Sequence, residues 1–131
     1  MRYGLPKKIL VPTDLSEVAN AALKEAAALA KDGSAELIVL YADRMIPPLD
    51  PNMELPRKFA ALTGEQKKEA LTTYLRKKIT DIVPQNIAVE PVVVLDAPVD
   101  AIITTANEKD ADWIVMGTHG RSGAARVFQA R

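Results

Sequence analysis

The stretch WIVMGTHGRSG, residues 113–123, decides how the rest of the chain is interpreted. It begins with four apolar residues, 113–116, and Gly117 ends the run. A short apolar run that contains β-branched residues and stops at a glycine is typical of a buried strand. The pattern therefore predicts a strand that leads directly into a glycine-rich loop over residues 117–123.

The loop has glycine at three of its seven positions, Gly117, Gly120 and Gly123. Glycine can take positive φ, and it lets the backbone approach a ligand closely. If a helix begins near Ser122, its N–H groups and its positive end would point at an anion, typically a phosphate. The spacing by itself favours a simpler interpretation, a turn that needs glycine for geometry alone. The loop is neither a Walker A motif nor a Rossmann fingerprint, because its spacing fits neither.

Composition indicates one ordinary domain and excludes several classes of function. The chain has 131 residues, of which 48% are apolar, and its 17 basic and 17 acidic residues cancel. A net charge of zero provides no general attraction to nucleic acid or to acidic membranes. The lack of cysteine excludes disulfides and thiolate chemistry, and no apolar run approaches the ~20 residues of a membrane-spanning helix. We expect a cytoplasmic protein without nucleic-acid or membrane partners.

Strands and helices alternate along the predicted chain. Strands are predicted over 7–12, 36–42, 87–95 and 112–116, and helices over 17–31, 64–83 and 98–107, with a proline-rich surface loop over 43–56. This alternation predicts an α/β fold, an open parallel sheet with helices on both faces. Pro91 indicates that the third strand lies at an edge, because proline cannot donate to a ladder, and this fits the order 3-2-1-4. A crevice then opens at the carboxyl ends of strands one and four.

Local signals predict the ends and the buried faces of the helices. Asp14 and Ser16 both suit the N-cap of the first helix, and Asp14 with Glu17 has capping-box spacing. Gly33 is expected to be the C′ residue, just beyond the end of that helix. Apolar spacing predicts which helical positions face the sheet. They are Leu23, Ala26, Ala27 and Ala30, then Leu71, Tyr74, Leu75, Ile79, Ile82 and Val83, and finally Val99, Ile102, Ile103 and Ala106.

Two segments of the chain resemble the universal stress protein family. KILVPTD at residues 8–14, with Ser16 and Glu17, looks like the first strand and turn of that family. ADWIVMGTHGRSG at residues 111–123 resembles its most specific segment. The resemblance covers nearly the whole chain. It implies an adenine nucleotide alpha hydrolase-like α/β fold, with an adenine-nucleotide site in the crevice between strands one and four.

The resemblance also implies which residues would hold ATP, with or without Mg²⁺. The aspartate of the first strand serves the nucleoside in ATP-binding members, the residue ending strand two packs on it, and the glycine loop lines the ribose and the phosphates. The residues so implied are Pro12, Thr13, Asp14, Ala42, Met116, Gly117, Thr118, His119, Gly120, Arg121, Ser122 and Gly123.

Several of these residues have a second interpretation. Without the resemblance, the residues favour a plain helix cap for Asp14, while Ser122 is equally suited to binding phosphate and to capping a last helix. His119, the only histidine, is expected to be a loop residue beside phosphate rather than a metal ligand, because no second ligand has metal-site spacing. Arg121 and Arg126 could add charge at the phosphate end or simply face solvent. We therefore predict no metal site and no catalytic residue.

The chain departs from the family at its C-terminal end. The family continues the pattern of Gly117 and Gly120, nine residues further on, with Gly and Ser or Thr, where this chain has Ala130 and Arg131. The family's fifth strand, which commonly pairs with its copy in a dimer, is expected to be absent. The prediction is thus a single domain over 1–131, incomplete at its C-terminal end relative to the family, with an uncovered flank on strand four.

The predicted function is regulatory binding of ATP, with at most slow hydrolysis, in a homodimer or other oligomer. An efficient enzyme is not expected, because no residues form a nucleophile and base pair. The first alternative is a dimeric or partner-binding module that binds no nucleotide. The second is an enzyme that cleaves adenine nucleotides at the α-phosphate, although residues 12–16 lack the Ser-Gly-Gly loop that such enzymes usually carry.

Overall fold

A computed structural model describes residues 6–42, 64–117 and 125–130 of the chain. The secondary-structure elements in these residues follow one another in the alternating order that the sequence predicts, up to the last one. They are β1 (Lys8–Thr13), α1 (Glu17–Gly33), β2 (Glu36–Ala42), α2 (Gly64–Ile82), β3 (Val89–Val94), α3 (Pro98–Glu108), β4 (Trp113–Gly117) and β5 (Ala125–Gln129). The proline-rich loop predicted over 43–56 lies outside the described residues.

The strands form one sheet in the order β3-β2-β1-β4-β5. The first four are mutually parallel, which confirms the predicted order 3-2-1-4 and the edge position of β3 with its Pro91. β1 and β4 lie side by side, with Ile9 opposite Trp113 and Leu10 opposite Ile114. The direction of the strand order changes between these two strands, which is where ligand crevices open in sheets of this kind.

β5 contradicts two predictions from the sequence. Residues 125–129 form a strand antiparallel to β4, so the helix expected to begin near Ser122 is wrong. The expected absence of a fifth strand, with an uncovered flank on β4, is wrong for the same reason. The physical cause lies in Val127 and Phe128, because β-branched and aromatic residues favour extended backbone over helix.

The first face of the sheet is covered by α1 and α2. Successive strand residues point to opposite faces, so Ile9, Val11 and Val39 lie on this side. The predicted stripes of both helices are buried here, apart from the partly buried Ile82 at the end of α2. In β2 the buried run from Leu37 to Tyr41 confirms that this strand is covered on both faces.

The second face is covered by α3, and here the predicted stripe is partly wrong. Ala101, Thr105 and Ala106 are buried, whereas Val99 and Ile103 are 67% and 56% exposed. The buried Ala101 and Ala106 pack in one cluster with Leu10, Ile38 and Leu40 from the strands. The small side chains let α3 lie close on the sheet, which turns Val99 and Ile103 outward. Pro98 is the first residue of α3, as its fixed φ favours.

The two ends of α1 also differ from the prediction. Ser16 is the N-cap, because its Oγ accepts the N–H of Ala19 at 3.2 Å, so the capping box expected from Asp14 and Glu17 is wrong. At the other end Gly33 is the last helical residue, and Ser34 takes the left-handed conformation with φ 56°. In the described residues no helix is long and apolar enough to cross a membrane.

Candidate functional site

A cavity of about 280 Å³ opens beyond the carboxyl ends of β1, β2 and β4. It lies where the strand order predicts a crevice, and α1 and α3 form its side walls. The cavity is lined by Pro12, Thr13, Asp14, Ser16, Val18, Ala19, Leu40, Ala42, Pro98, Ile102, Met116 and Gly117. Most of these residues are apolar and a few are polar, which is typical of sites for small molecules. Its volume is close to the lower end, roughly 300 Å³, of such sites.

The turn between β1 and α1 is held by side chains that bond to its own backbone. Oγ1 of Thr13 accepts the N–H of Leu15 at 2.9 Å, and Oδ1 of Asp14 accepts the N–H of Ser16 at 2.9 Å. With the Ser16 cap, three short side chains thus accept three backbone N–H groups, those of Leu15, Ser16 and Ala19. The turn has one shape because each of its polar side chains is already engaged in maintaining it.

Leu15 makes this shape possible by adopting an unfavourable backbone conformation. Its φ is +68°, which branched and bulky residues rarely adopt, and its side chain is 3% exposed. Burial of Leu15 in the first-face core anchors the turn, while Asp14 beside it remains exposed at the cavity. Oδ2 of Asp14 has no hydrogen-bond partner within the described part of the chain. The carboxylate can therefore accept a hydrogen bond from a ligand without releasing the turn.

Gly117 ends β4 directly beneath the first turn of α1. A Cβ at this position would lie 2.7 Å from both Cγ1 and the carbonyl oxygen of Val18, so only glycine fits. The close approach is between two segments of the protein itself. For Gly117 the geometry thus favours the simpler of the two interpretations, a glycine needed for packing. It brings the N-terminal end of α1 onto the end of β4 and closes that side of the cavity.

The opposite wall comes from β2 and α3. Leu40 and Ala42 alternate along β2 and point to the second face, where Pro98 and Ile102, four residues apart on α3, meet them. The sequence analysis did not assign Leu40, Pro98 or Ile102 to the site. The sequence contained a signal for these residues. Leu40 lies on the same strand face as Ala42, and Ile102 lies one helical turn after Pro98.

The predicted site residues divide into two groups of six. Pro12, Thr13, Asp14, Ala42, Met116 and Gly117 all line the one cavity, although they come from three strands. Thr118, His119, Gly120, Arg121, Ser122 and Gly123 lie outside the described residues. The structure thus brings the turn at Asp14 and the end of β4 to the same cavity, and what these residues bind stays a prediction.

Of the described residues that line the cavity, one has a charged side chain, Asp14. The described residues contain no group of three or more His, Asp or Glu that could hold a metal ion. A ligand with hydroxyl or amino donors therefore suits the part of the cavity that this carboxylate faces, and an apolar ring suits the wall built by β2 and α3.

The sequence over residues 6–129 matches the model of the universal stress protein family. The chain belongs to this family. It is 33% identical over 130 residues to universal stress protein MJ0531 of Methanocaldococcus jannaschii, and the match covers 95% of this chain and 72% of that protein.

Two solved structures of the family support the same assignment of the fold. The structure of MJ0577, from the same archaeon, is 27% identical, with a TM-score of 0.60 over 92% of this chain and 80% of that one. A universal stress protein in complex with cAMP is 24% identical, with a TM-score of 0.57 over 91% of this chain and 78% of that one. The resemblance seen in the sequence is therefore confirmed at the level of family and fold.

Proposed function

We propose that this universal stress protein binds an adenine nucleotide, ATP, in the cavity between β1 and β4. The observation that carries the proposal is the convergence of the Asp14 turn and the end of β4 on one cavity. Six residues predicted from separate parts of the sequence line it together. A nucleotide needs an apolar slot for its base, an acceptor for its hydroxyl groups and space for its phosphates.

The base and the ribose would occupy the described part of the cavity. The apolar wall of Leu40, Ala42 and Ile102 is suited to an adenine ring, because flat aromatic rings gain most from contact with apolar side chains. The carboxylate of Asp14 would accept a hydrogen bond from the ribose or from the base, through the oxygen that the turn does not use. A charged acceptor strengthens such a bond compared with a neutral one.

The phosphates would extend past Met116 and Gly117, toward the loop that the sequence predicts to bind them. Any Mg²⁺ would accompany the phosphates, because such ions are usually held by phosphate oxygens and water with few protein ligands. The same fold holds an adenine nucleotide in the structural relative that was crystallised with cAMP. At 24% identity that likeness concerns the fold, so the proposal for this chain rests on its own cavity.

The role we propose is regulatory binding rather than catalysis. Among the described lining residues, Asp14 is the one carboxylate and its Oδ1 holds the turn, so these residues offer no nucleophile and base pair. A bound nucleotide would stabilise the folded chain, and the stabilisation would increase with nucleotide concentration. We place this role in the cytoplasm, where the sequence analysis predicts the protein.

Titration calorimetry with ATP, adenosine and GTP tests the proposal, each with and without Mg²⁺. We expect ATP and adenosine to bind and GTP to bind more weakly. Asp14→Asn keeps an acceptor for the N–H of Ser16 but loses the charge, and adenosine affinity should fall about tenfold. Asp32→Asn, an exposed change at the far end of α1, is the matched control. Absence of heat and of thermal stabilisation at millimolar ATP would remove the proposal.

A second candidate is a dimeric or partner-binding role, and one observation favours it. β5 is an edge strand of the sheet, and its Val127 and Phe128 are 46% and 47% exposed. An edge with exposed apolar residues is prone to pair with another strand. Mass measurement in solution, with and without ATP, separates the two candidates: dimers that form regardless of nucleotide, together with no nucleotide binding, would favour this second role.

A further inference from the structure

The charge balance of the cavity leaves the phosphates of a nucleotide without an evident partner among the lining residues. Among the described residues, the lining has a single charge, the negative carboxylate of Asp14, which repels an anion. A helix N-terminus near Ser122 is one phosphate partner that the sequence allows, beside the glycine-rich loop. Residues 125–129 form β5 instead, so the positive end of that helix is not available there. A cation near the carboxyl end of β4 would supply the missing positive charge.

The antiparallel register of β5 brings one cation to the edge of the cavity. Arg126 lies opposite Met116, which lines the cavity near the end of β4. Residues directly opposite each other in antiparallel strands point to the same face, with Cβ atoms about 5 Å apart. Because β5 runs against β4, its first residues lie at the carboxyl end of the parallel strands. Arg126 is thus at the end of the sheet where the cavity opens.

The contacts of the following residues show which face this is. Phe128 lies opposite Ile114, and Ile114 packs against the cluster on the second face. Ala130, two residues further on, packs against the same cluster. Side chains alternate along a strand, so Arg126 shares this face with Phe128 and Ala130. The cavity residues Leu40, Ala42 and Met116 lie on the same face of the sheet, at even-numbered positions of their strands.

We propose that Arg126 binds the phosphates of the nucleotide, in place of the helix N-terminus that the loop spacing allows near Ser122. The inference rests on the proposed function and assigns its phosphate contact. Arg126 is exposed, and within the described residues no ion pair engages it. A guanidinium on a flexible stem can reach past Met116 and form two parallel hydrogen bonds to one phosphate group. The site therefore selects nucleotides that carry phosphates over the bare nucleoside.

The experiment compares binding of ATP, AMP and adenosine to the wild-type chain, to Arg126→Gln and to Arg126→Lys. Loss of a charge-assisted contact should weaken ATP binding about tenfold or more in Arg126→Gln. Arg126→Lys keeps the charge without the paired geometry, so we expect a smaller loss. Adenosine should bind all three proteins within a factor of about two of each other, because it has no phosphate. Arg76→Gln, an exposed change on α2 and the opposite face, is the control.

The results separate this inference from the proposed function. Unchanged ATP affinity in Arg126→Gln, with ATP bound by the wild type, overturns the inference and leaves the proposed function standing. Equal losses for ATP and adenosine also overturn it, because they show a general effect on the cavity. If the wild type binds neither ligand, the proposed function itself falls. The urea midpoint of each variant should match that of the wild type, since the side chain is exposed.

Discussion

The two faces of the sheet are covered in different ways. On the first face, α1 and α2 bury large apolar side chains, among them Leu71, Tyr74 and Leu75, against the strands. On the second face α3 presents Ala101, Thr105 and Ala106, with Ile102 partly buried beside them, while Val99 and Ile103 point to solvent. Stability should therefore reside mainly in the first face. The second face forms one wall of the cavity, where small residues leave space.

The difference can be measured with one residue type on two helices. Ile79 on α2 is 8% exposed, and Ile103 on α3 is 56% exposed. Truncation of a buried isoleucine to alanine removes packed atoms and leaves a cavity, so Ile79→Ala should lower the free energy of unfolding by about 2–5 kcal/mol. Ile103→Ala should change it by less than about 0.5 kcal/mol, because the residue lies mostly in solvent. Urea denaturation of both variants gives the two values.

Similar losses in the two variants would contradict this comparison. They would mean that the outer face of α3 is covered by another part of the protein or by a partner. Repeating Ile103→Ala at several protein concentrations separates these cases, because only cover by a second copy makes the loss depend on concentration.

The sequence predicts the first face well and the second face poorly for one physical reason. In α1 the apolar residues Leu23, Ala26 and Ala27 fall on a single stripe, so periodicity has one solution. In α3 two stripes compete, one through Val99 and Ile103 and one through Ala101 and Thr105. Hydrophobicity favours the first stripe, but the sheet selects the second, because a helix with small residues can approach it more closely. Close approach is a tertiary property that periodicity does not contain.

The site shows the same limit. The carboxyl ends of parallel strands share one edge of a sheet, so Asp14, Ala42 and Met116 could be predicted to lie together. The residues of α3 that complete the wall depend on the helix orientation that the sequence does not determine. β5 was missed because a glycine-rich loop before residues 125–129 suggested a helix start. The β-favouring Val127 and Phe128 were the signal against it.

The close packing of α1 on β4 can be tested at Gly117. Gly117→Ala would place a Cβ against the backbone carbonyl of Val18, which cannot move without shifting the helix. We expect a loss of about 1–3 kcal/mol in the free energy of unfolding, as for other overpacked sites. Gly64→Ala is the matched control, since its nearest neighbour, Cδ1 of Leu95, would lie at 3.8 Å, an ordinary contact. A harmless Gly117→Ala would show that α1 is not held tightly on β4.

On the second face, a salt bridge links the end of α3 to β3, and a single substitution can remove it. Nζ of Lys109, after the end of α3, donates to Oε2 of Glu90 on β3 at 2.7 Å. Both side chains are more than one third exposed, so solvent screens the pair. Glu90→Gln should therefore lower the free energy of unfolding by less than about 1 kcal/mol, and added salt should reduce the difference. Glu25→Gln, an exposed change on α1, is the control.

The pH dependence of this small loss gives its origin. The hydrogen bond that Lys109 donates to Glu90 raises the pKa of Lys109 above its ordinary value of 10.5. A raised pKa means that the folded chain holds this proton more tightly than the unfolded chain. The stabilisation is thus complete below pH 10.5 and is lost as the pH rises through the higher folded value. The difference between wild type and Glu90→Gln should stay constant from pH 7 to 9, within about 0.3 kcal/mol, and vanish above that value. A difference that persists at high pH would instead indicate packing by the Glu90 side chain, and α3 would then be held on β3 by the same kind of contact that holds α2 on the first face.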